Sequence, residues 1–410
     1  MIRNNYSLRS LALNNVREWN TIADTLAAIA GAFSLTPLGK NKYPMLSFKP
    51  RLIVIHPDVS RHPVTKGILE KTKHIPFVIQ AAPPPASGSI NDPVGYGKRI
   101  WFLTASPGNL VKECPATPHQ LCCRYRVINL ITNCPIDCSY CILQGYITNS
   151  YITIHINLKD VYEQIDMHLA SHPHHIVRFG TGELSDSLAL EAYTGFCQEL
   201  VHFFKHRNKA FFEIKTKYHD VERLLELEPE GNIGVSWSIN PEEIIRQEEH
   251  GASTLKQRLK AAQRCQEKGY LIGFHFDPIF HYPEWEQGYR SVIDRIFSRV
   301  DTRRISWISL GGFRYPTFLK SAVQERFPES RILLGELFPG PDGKFRYFKQ
   351  LRIELYRKIV SWLRHHDPQL FIYFCMESPD VWTAVFGEAP ESRDHLDQRF
   401  SQHLQRIWSA

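Results

Sequence analysis

Hydrophobic and polar positions alternate in blocks between about residues 120 and 335. Six short apolar runs, rich in β-branched and aromatic residues, are each followed by a stretch with helical spacing. These runs are RYRVINLI, HHIVRFG, FFEIKTKY, NIGVSWSI, YLIGFHFDPI and RISWISLGG. Strands that alternate with helices build a parallel sheet covered by those helices. The pattern therefore predicts an α/β fold with a partial (β/α)6, TIM-like barrel over residues 116–335.

The segments on either side of the predicted barrel have their own patterns. RLIVIHPDV and the helical stretch after it predict a small N-terminal α/β unit over residues 51–115. Residues 336–410 predict a C-terminal α/β extension that contains the basic and aromatic stretch KFRYFK (344–349). Residues 1–50 are interpreted as a tail, flexible or carrying an amphipathic helix. Their arginines and scarce acids also fit a transit peptide.

Composition narrows the class of protein only modestly. The 410 residues are 43% hydrophobic and 22% charged, with a formal net charge of +7, which permits a polyanionic partner without requiring one. No run approaches the roughly 18 apolar residues of a membrane span. Nine cysteines in a chain of this length are typical of ligation or catalysis inside a cell rather than of a disulfide scaffold. We therefore expect a soluble, cytoplasmic protein.

The densest chemistry lies in CPIDCSYC, where Cys134, Cys138 and Cys141 have C-x3-C-x2-C spacing. Structural zinc sites take four ligands, usually as two separate pairs, and a second pair is missing here, although Cys122, Cys123 or His119 could complete such a site. Three thiolates on one loop suit a cubane iron–sulfur cluster in which one iron has no protein ligand. Such an iron can bind a substrate or cofactor directly.

Polar residues follow the other predicted strands where each strand ends. GTGE (180–183) ends the second strand, KTKYH (215–219) the third, Ser238 and Asn240 the fourth, and His275 and Asp277 the fifth. Ligands of β/α barrels sit at the carboxyl ends of the strands, so these residues are expected on one rim with the cysteines. His275 and Asp277, with His281, could form a metal site, but we interpret His275, Asp277 and Asn240 as residues that line a pocket.

A three-cysteine loop after the first strand of such a barrel resembles the radical S-adenosylmethionine (radical SAM) enzymes. The resemblance implies a partial barrel of the radical SAM type, a [4Fe–4S] cluster on Cys134, Cys138 and Cys141, and S-adenosylmethionine on the free iron. GTGE resembles the superfamily's glycine-rich element, in which Gly180 and Gly182 would allow close approach and Glu183 would contact the methionine amino group.

A narrower resemblance, to the spore photoproduct lyase family, covers residues 51–375. It rests on CSYCILQ, RFG…SD, FEIKTKYHDVERLL, VSWSIN and GFHFDPIFHYPEWEQGYR. It implies that Lys217 and Ser238 contact S-adenosylmethionine and that Ser185 lies in the turn beside it. The family also implies a pyrimidine lesion in DNA as substrate and a one-electron donor such as a flavodoxin or ferredoxin.

Two departures from that family affect the hydrogen-atom donor. Glu183 stands where the lyases carry a donating cysteine, and Ile142 stands where a tyrosine usually follows the third cluster cysteine. A carboxylic acid cannot replace a thiol in this step, because its O–H bond is too strong. No residue is identifiable as the donor, and Tyr140 is the remaining weak candidate.

Three interpretations stay open. The first is a radical SAM enzyme of this family that acts on a DNA lesion. The second is a radical SAM enzyme for RNA, a peptide or a small molecule, which Glu183 and Ile142 favour. The third is a non-catalytic protein that binds zinc or a cluster structurally.

Overall fold

The computed structural model describes residues 48–83, 92–115, 117, 120–173 and 175–408. Most of the expected tail, residues 1–47, lies outside the described residues. The described residues form one compact unit. In the ranges given above, no helix is both long enough and apolar enough to cross a bilayer.

The strands are β1 (Leu52–Ile55), β2 (Phe77–Ile79), β3 (Ile100–Thr104), β4 (Val111–Glu113), β5 (Arg126–Ile128), β6 (Ile131–Thr132), β7 (Asp137–Cys138), β8 (Ile152–His155), β9 (Val177–Thr181), β10 (Ala210–Thr216), β11 (Ile233–Ser238), β12 (Glu249–His250), β13 (Leu271–Ile279), β14 (Ile305–Gly312), β15 (Arg314–Pro316), β16 (Leu337–Pro339), β17 (Lys344–Tyr347) and β18 (Ile372–Phe374).

The helices are α1 (Pro63–Lys71), α2 (Pro93–Gly97), α3 (Leu143–Tyr146), α4 (Leu158–Ala170), α5 (Glu191–Thr194), α6 (Phe196–Phe204), α7 (Glu222–Leu225), α8 (Glu242–Glu248), α9 (Leu255–Glu267), α10 (Trp285–Phe297), α11 (Thr317–Arg326), α12 (Lys349–His366), α13 (Pro379–Phe386) and α14 (Arg393–Trp408).

The main sheet has the strand order β18-β14-β13-β11-β10-β9-β5-β4. All six predicted barrel strands are present, and every neighbouring pair from β5 to β18 is parallel. The main-chain N–H of Leu121, ahead of β5, donates to the carbonyl of Glu377, after β18, at 3.0 Å. This contact brings the two sides of the curled sheet together, so the predicted partial barrel is confirmed.

A second sheet has the order β2-β1-β3-β8-β6. Its first three strands belong to the predicted N-terminal unit. The other two, β6 and β8, lie immediately before and after the cysteine loop. The unit therefore shares strands with the segment that carries the cysteines, and the domain boundary at residue 115 stays a prediction.

Two local details differ from the sequence pattern. The stretch with helical spacing over residues 187–206 forms two helices, α5 and α6, because Gly195 adopts φ +69° and ends the first of them. The KFRYFK stretch, for which no strand was predicted, forms β17 in a three-stranded sheet ordered β15-β17-β16. Helix α9 begins with a capping box, in which Thr254 and Gln257 are bonded reciprocally.

Candidate active site

The cysteine loop is fixed at its start by Asn133, which adopts φ +72°. Its side-chain oxygen accepts the N–H of Cys134 at 2.9 Å, and its amide donates to the carbonyl of Ser150 at 2.8 Å. One side chain thus joins the two ends of the loop. Cys134 and Cys138 are buried and Cys141 is half-buried. The loop follows β5, as the sequence predicted.

Asp186 ties the cysteine loop to the ends of β9 and β10. Its backbone N–H donates to Cys134 Sγ at 3.3 Å. Its carboxylate accepts the N–H of Lys217 at 2.5 Å and the hydroxyl of Thr216 at 2.8 Å. Asp186 is the last residue of the motif RFG…SD, and the sequence pattern does not mark it as a site residue, although an aspartate in a turn is a typical backbone-binding residue.

A buried carboxylate, Glu249, organises the opposite side of the loop. It pairs with Arg258 and accepts hydrogen bonds from the Tyr140 hydroxyl and, at 3.0 Å, from the Asn240 amide. Burial opposes ionisation, but Arg258 and the Lys217 ammonium group hold the pKa of Glu249 at about 2. Glu249 is therefore a permanent anion beside the site. The sequence pattern did not indicate it.

This arrangement constrains Tyr140, the remaining candidate for hydrogen-atom transfer. Its hydroxyl is committed to Glu249, and its ring packs against Phe280 with centroids 5.2 Å apart. Burial, with Glu249 next to it, raises the pKa of Tyr140 well above its ordinary value. The contacts give Tyr140 a packing and anchoring position.

Lys217 and Ser238, the expected S-adenosylmethionine contacts, lie near Tyr140 and Glu249. The Lys217 ammonium group is 5.8 Å from the centroid of the Tyr140 ring. Burial alone would lower the pKa of Lys217, but Cys138 and Glu249 raise it above its ordinary value. Ser238 is buried, and its carbonyl accepts from Arg258 at 2.8 Å.

The other residues expected to contact the cofactor lie in or beside the turn after β9, and their surroundings differ. Gly182 has φ +101°, and a Cβ atom there would meet the Lys215 carbonyl oxygen at 2.6 Å. At Gly180 an added Cβ would lie 1.6 Å from the Tyr125 hydroxyl, so packing within the barrel requires this glycine. Ser185 is buried and its hydroxyl has no hydrogen-bond partner in the described part of the chain, whereas Glu183 is exposed.

The interior of the barrel contains a buried carboxylate, Glu213, that the sequence pattern does not mark. Four side chains donate to it: Tyr125 and Ser236 at 2.5 Å, Trp307 at 2.9 Å and His275 at 3.0 Å. Burial favours the neutral acid, but His275 and the other donors hold the pKa of Glu213 at about 2.

His275 completes this network as a neutral imidazole. Burial lowers its pKa, and the nearby Lys215 ammonium group lowers it further. Since a carboxylate only accepts, the Nε2–H group donates to Glu213, and Nδ1 accepts from the Ser309 hydroxyl at 2.6 Å. His275 is therefore part of the barrel interior.

Asp277, the other pocket candidate, forms an ion pair with Arg314 at 3.1 Å. Burial opposes its ionisation, but Arg314 holds the pKa of Asp277 below its ordinary value. The thiol of Cys375, directly after β18, lies 3.9 Å from the Arg314 guanidinium. These three side chains share one end of the barrel interior.

No three His, Cys, Asp or Glu side chains in the described ranges form a group that could hold a single metal ion. His275, Asp277 and His281 therefore do not make such a site.

A cubane cluster is a different case, because each thiolate binds a different iron. The donor set and its charges fit a cluster: the three thiols lie on one loop, the buried Lys98 contacts Ile136 and Asp137 of that loop, and the half-buried Lys217 lies 5.8 Å from the centroid of the Tyr140 ring.

The three-stranded sheet of β15, β16 and β17 carries the basic and aromatic stretch. Inside it, Tyr315 stacks on Phe345 with centroids 5.4 Å apart, and Arg346 pairs with Asp342 at 2.5 Å. Phe338 and Phe348 are 48% and 60% exposed. Two exposed phenylalanines at one small sheet are available for a flat, apolar partner.

A curled parallel sheet with three cysteines on the loop at its carboxyl edge defines the radical SAM class of enzymes. The family model described as "Spore photoproduct lyase" matches residues 118–350, more than half of the chain. The chain belongs to the spore photoproduct lyase family.

The sequence identity between this chain and individual relatives is low. The spore photoproduct lyases of Bacillus subtilis and a Geobacillus species are 26% and 27% identical over 212 residues, 51% of this chain. The alignments cover 62% of each relative's own length. A solved spore photoproduct lyase variant with bound S-adenosylmethionine and dinucleoside spore photoproduct has a TM-score of 0.73 at 23% identity. It covers 80% of this chain and 100% of its own, and shows that the fold is shared.

Proposed function

We propose that this protein is a radical SAM enzyme that acts on a pyrimidine lesion in DNA. Cys134, Cys138 and Cys141 would hold a [4Fe–4S] cluster, and S-adenosylmethionine would bind its free iron. When bound, these groups supply a 5′-deoxyadenosyl radical that takes a hydrogen atom from the substrate. A one-electron donor such as a flavodoxin or ferredoxin, and a cytoplasmic location, belong to the same proposal.

One observation carries the cofactor part of the proposal. The Cys134 thiol accepts the N–H of Asp186, whose carboxylate binds the backbone of Lys217. Hydrogen bonds of Asp186 therefore connect the cysteine loop to the two strand ends expected to bind S-adenosylmethionine. Ser185, with its buried and unpartnered hydroxyl, lies in the same turn and could bond to the cofactor.

The remaining site residues would position and shield the cofactor. Lys217 and Ser238 would contact S-adenosylmethionine, and Gly182 would keep the turn after β9 close to β10. Glu183 is exposed, and its carboxylate would contact the methionine amino group of S-adenosylmethionine. Asn240 acts indirectly, by holding Glu249 in place.

The DNA-lesion substrate is supported by family membership and by the solved relative with bound dinucleoside spore photoproduct. In this chain, exposed Phe338 and Phe348 could stack on bases. Lys349, directly after Phe348, could contact a phosphate.

A second candidate function keeps the radical chemistry and changes the substrate. Glu183 replaces the donating cysteine and is exposed, so it supplies no thiol to a product radical. Ile142 is 40% exposed and provides no phenol at its position. These two residues favour a substrate whose radical needs no such donor, among RNA, peptides and small molecules.

The test is an anaerobic assay of the reconstituted protein with dithionite, S-adenosylmethionine and an oligonucleotide that contains spore photoproduct. Restored thymine together with 5′-deoxyadenosine formation supports the proposal. Deoxyadenosine without thymine supports the second candidate function. Neither product from a protein with a full cluster would refute both.

Cysteine variants sharpen this assay. Cys138→Ala should abolish the cluster and both products. Cys265→Ala is the matched control, because Cys265 is buried in α9. Zinc without sulfide in the purified protein would support the non-catalytic interpretation instead.

A further inference from the structure

The back of the cysteine loop contains a buried cation that comes from outside the barrel. Lys98, directly after α2, has a side chain only 7% exposed. Its ammonium group donates to the carbonyl of Ile136 at 2.8 Å and lies 2.8 Å from a carboxylate oxygen of Asp137. Both partners lie between Cys134 and Cys138.

The backbone just before Lys98 packs directly against the cysteine loop and so places this lysine beside it. Gly97, the last residue of α2, touches the far end of the cysteine loop, and a Cβ there would lie 2.5 Å from the carbonyl carbon of Ser150. Only glycine allows this contact. The segment that presents Lys98 is thus pressed against the same loop that Asn133 closes.

A second cation completes the surroundings of Asp137. Arg326, in α11, lies 2.8 Å from the other carboxylate oxygen and also pairs with Asp92. Burial opposes ionisation of Asp137, but Lys98 and Arg326 hold its pKa below the ordinary value. Asp137 is therefore an anion between two cations, and it fixes where both charges sit.

Of these charges, Lys98 contacts the backbone of the cysteine loop, because its ammonium group binds the carbonyl of Ile136 between Cys134 and Cys138. A cluster on these cysteines would interact with its positive charge. In a poorly solvated region such an interaction is only weakly screened. Positive charge next to an iron–sulfur cluster favours the reduced form, which carries one more negative charge.

We propose that Lys98 is a positioning residue of the cluster site that raises the reduction potential of the bound cluster. Asp137 holds it in place and partly offsets its charge. The inference rests on the proposed function, because it presupposes that the three cysteines bind a cluster. It makes the N-terminal sheet unit a component of the redox centre.

The experiment is an anaerobic redox titration of the reconstituted full-length protein, followed by electron paramagnetic resonance. We expect Lys98→Met to shift the midpoint potential of the cluster to a more negative value. Lys98→Arg keeps the charge and should remain near wild type. Asp137→Asn removes a buried negative charge and should shift the midpoint in the opposite direction.

Lys71→Met is the matched control. Lys71 also donates to a backbone carbonyl, that of Tyr193 at 2.8 Å, but the charged groups that act on it are Arg223 and Glu191. The midpoint potential of the cluster in the Lys71→Met protein should equal that of wild type. Iron and sulfide per chain, measured on every variant, separate loss of the cluster from a change in its potential.

The outcomes separate the inference from the function on which it rests. A Lys98→Met protein with full iron and an unchanged midpoint overturns the role of Lys98 and leaves the cluster intact. If that variant takes up no iron, Asp137→Asn decides the matter: a midpoint more positive than that of wild type and of Lys98→Arg supports the inference, and a midpoint equal to theirs overturns it. A wild-type protein that binds no cluster overturns both.

Discussion

The backbone N–H of Asp186 donates to the thiol of Cys134 at 3.3 Å, across 52 residues of sequence. Because the Asp186 carboxylate also binds the N–H of Lys217, the turn after β9 connects the cysteine loop to the end of β10. The proposed cluster and the proposed cofactor contacts therefore depend on one buried aspartate.

Asp186→Asn should weaken binding of S-adenosylmethionine. The amide lacks the charge that accepts from Lys217, Thr216 and two further N–H groups, and each charge-assisted hydrogen bond is worth about 1.5–3 kcal/mol. A loss of about tenfold or more in affinity is expected. Calorimetric titration of the reconstituted protein measures it. The exposed Asp380→Asn serves as control, and equal affinities in the two variants would contradict the assigned role.

Gly180→Ala should destabilise the barrel. The added methyl group would displace the Tyr125 hydroxyl, which donates to Glu213. Overpacking of this kind costs about 1–3 kcal/mol. The midpoint of urea unfolding checks this. Gly108→Ala is the matched control, because no atom lies within 4 Å of its added Cβ. Similar midpoints for both variants would show that Tyr125 can move without cost.

The stability of the fold should fall as the pH is lowered from neutral. His275 has a depressed pKa, so its contribution is complete above the ordinary value of 6.5 and is lost as pH falls below it. Glu213 and Glu249 have pKa values of about 2, so their contributions are present above the ordinary value of 4.5 and are lost between 4.5 and about 2. Urea unfolding at a series of pH values measures the slope.

Glu213→Gln identifies one source of this pH dependence. The neutral amide removes the titrating group while it keeps a hydrogen-bonding side chain in the barrel interior. We expect lower stability at neutral pH, because the Trp307 and His275 donors lose a charged acceptor, and a shallower decline below pH 4.5. A variant with the same slope as wild type in that range would assign the acid sensitivity to other groups.

Phe348→Ala and Lys349→Ala should weaken binding to single-stranded or lesion-containing DNA. Stacking on one aromatic ring is worth about 1–3 kcal/mol, and loss of one phosphate contact should flatten the dependence of affinity on salt. Fluorescence anisotropy at several salt concentrations measures both. Lys159→Ala is the control, since Lys159 is 87% exposed on α4. Equal affinities for all three variants would favour the second candidate function.

The sequence by itself determined the succession of strands and helices and the position of the cysteine loop. Six strands with period-two or continuous apolar patterns each have enough local signal to be recognised. The carboxyl-edge rule then placed Lys217, Ser238 and Asn240 near the cysteines, because parallel strands all end at the same edge. The spacing of Cys134, Cys138 and Cys141 is a local property of eight residues and needed no tertiary information.

Only the tertiary structure decided which buried charges meet at the site. Lys98 pairs with Asp137 across 39 positions of the sequence. Tyr140 donates to Glu249 across 109 positions, and Trp307 donates to Glu213 across 94 positions. Nothing in the local pattern marks Glu213 or Glu249 as buried, since isolated acids usually lie on the surface. A buried charge is tolerated only where distant donors converge on it, and that convergence exists only once the sheet has curled.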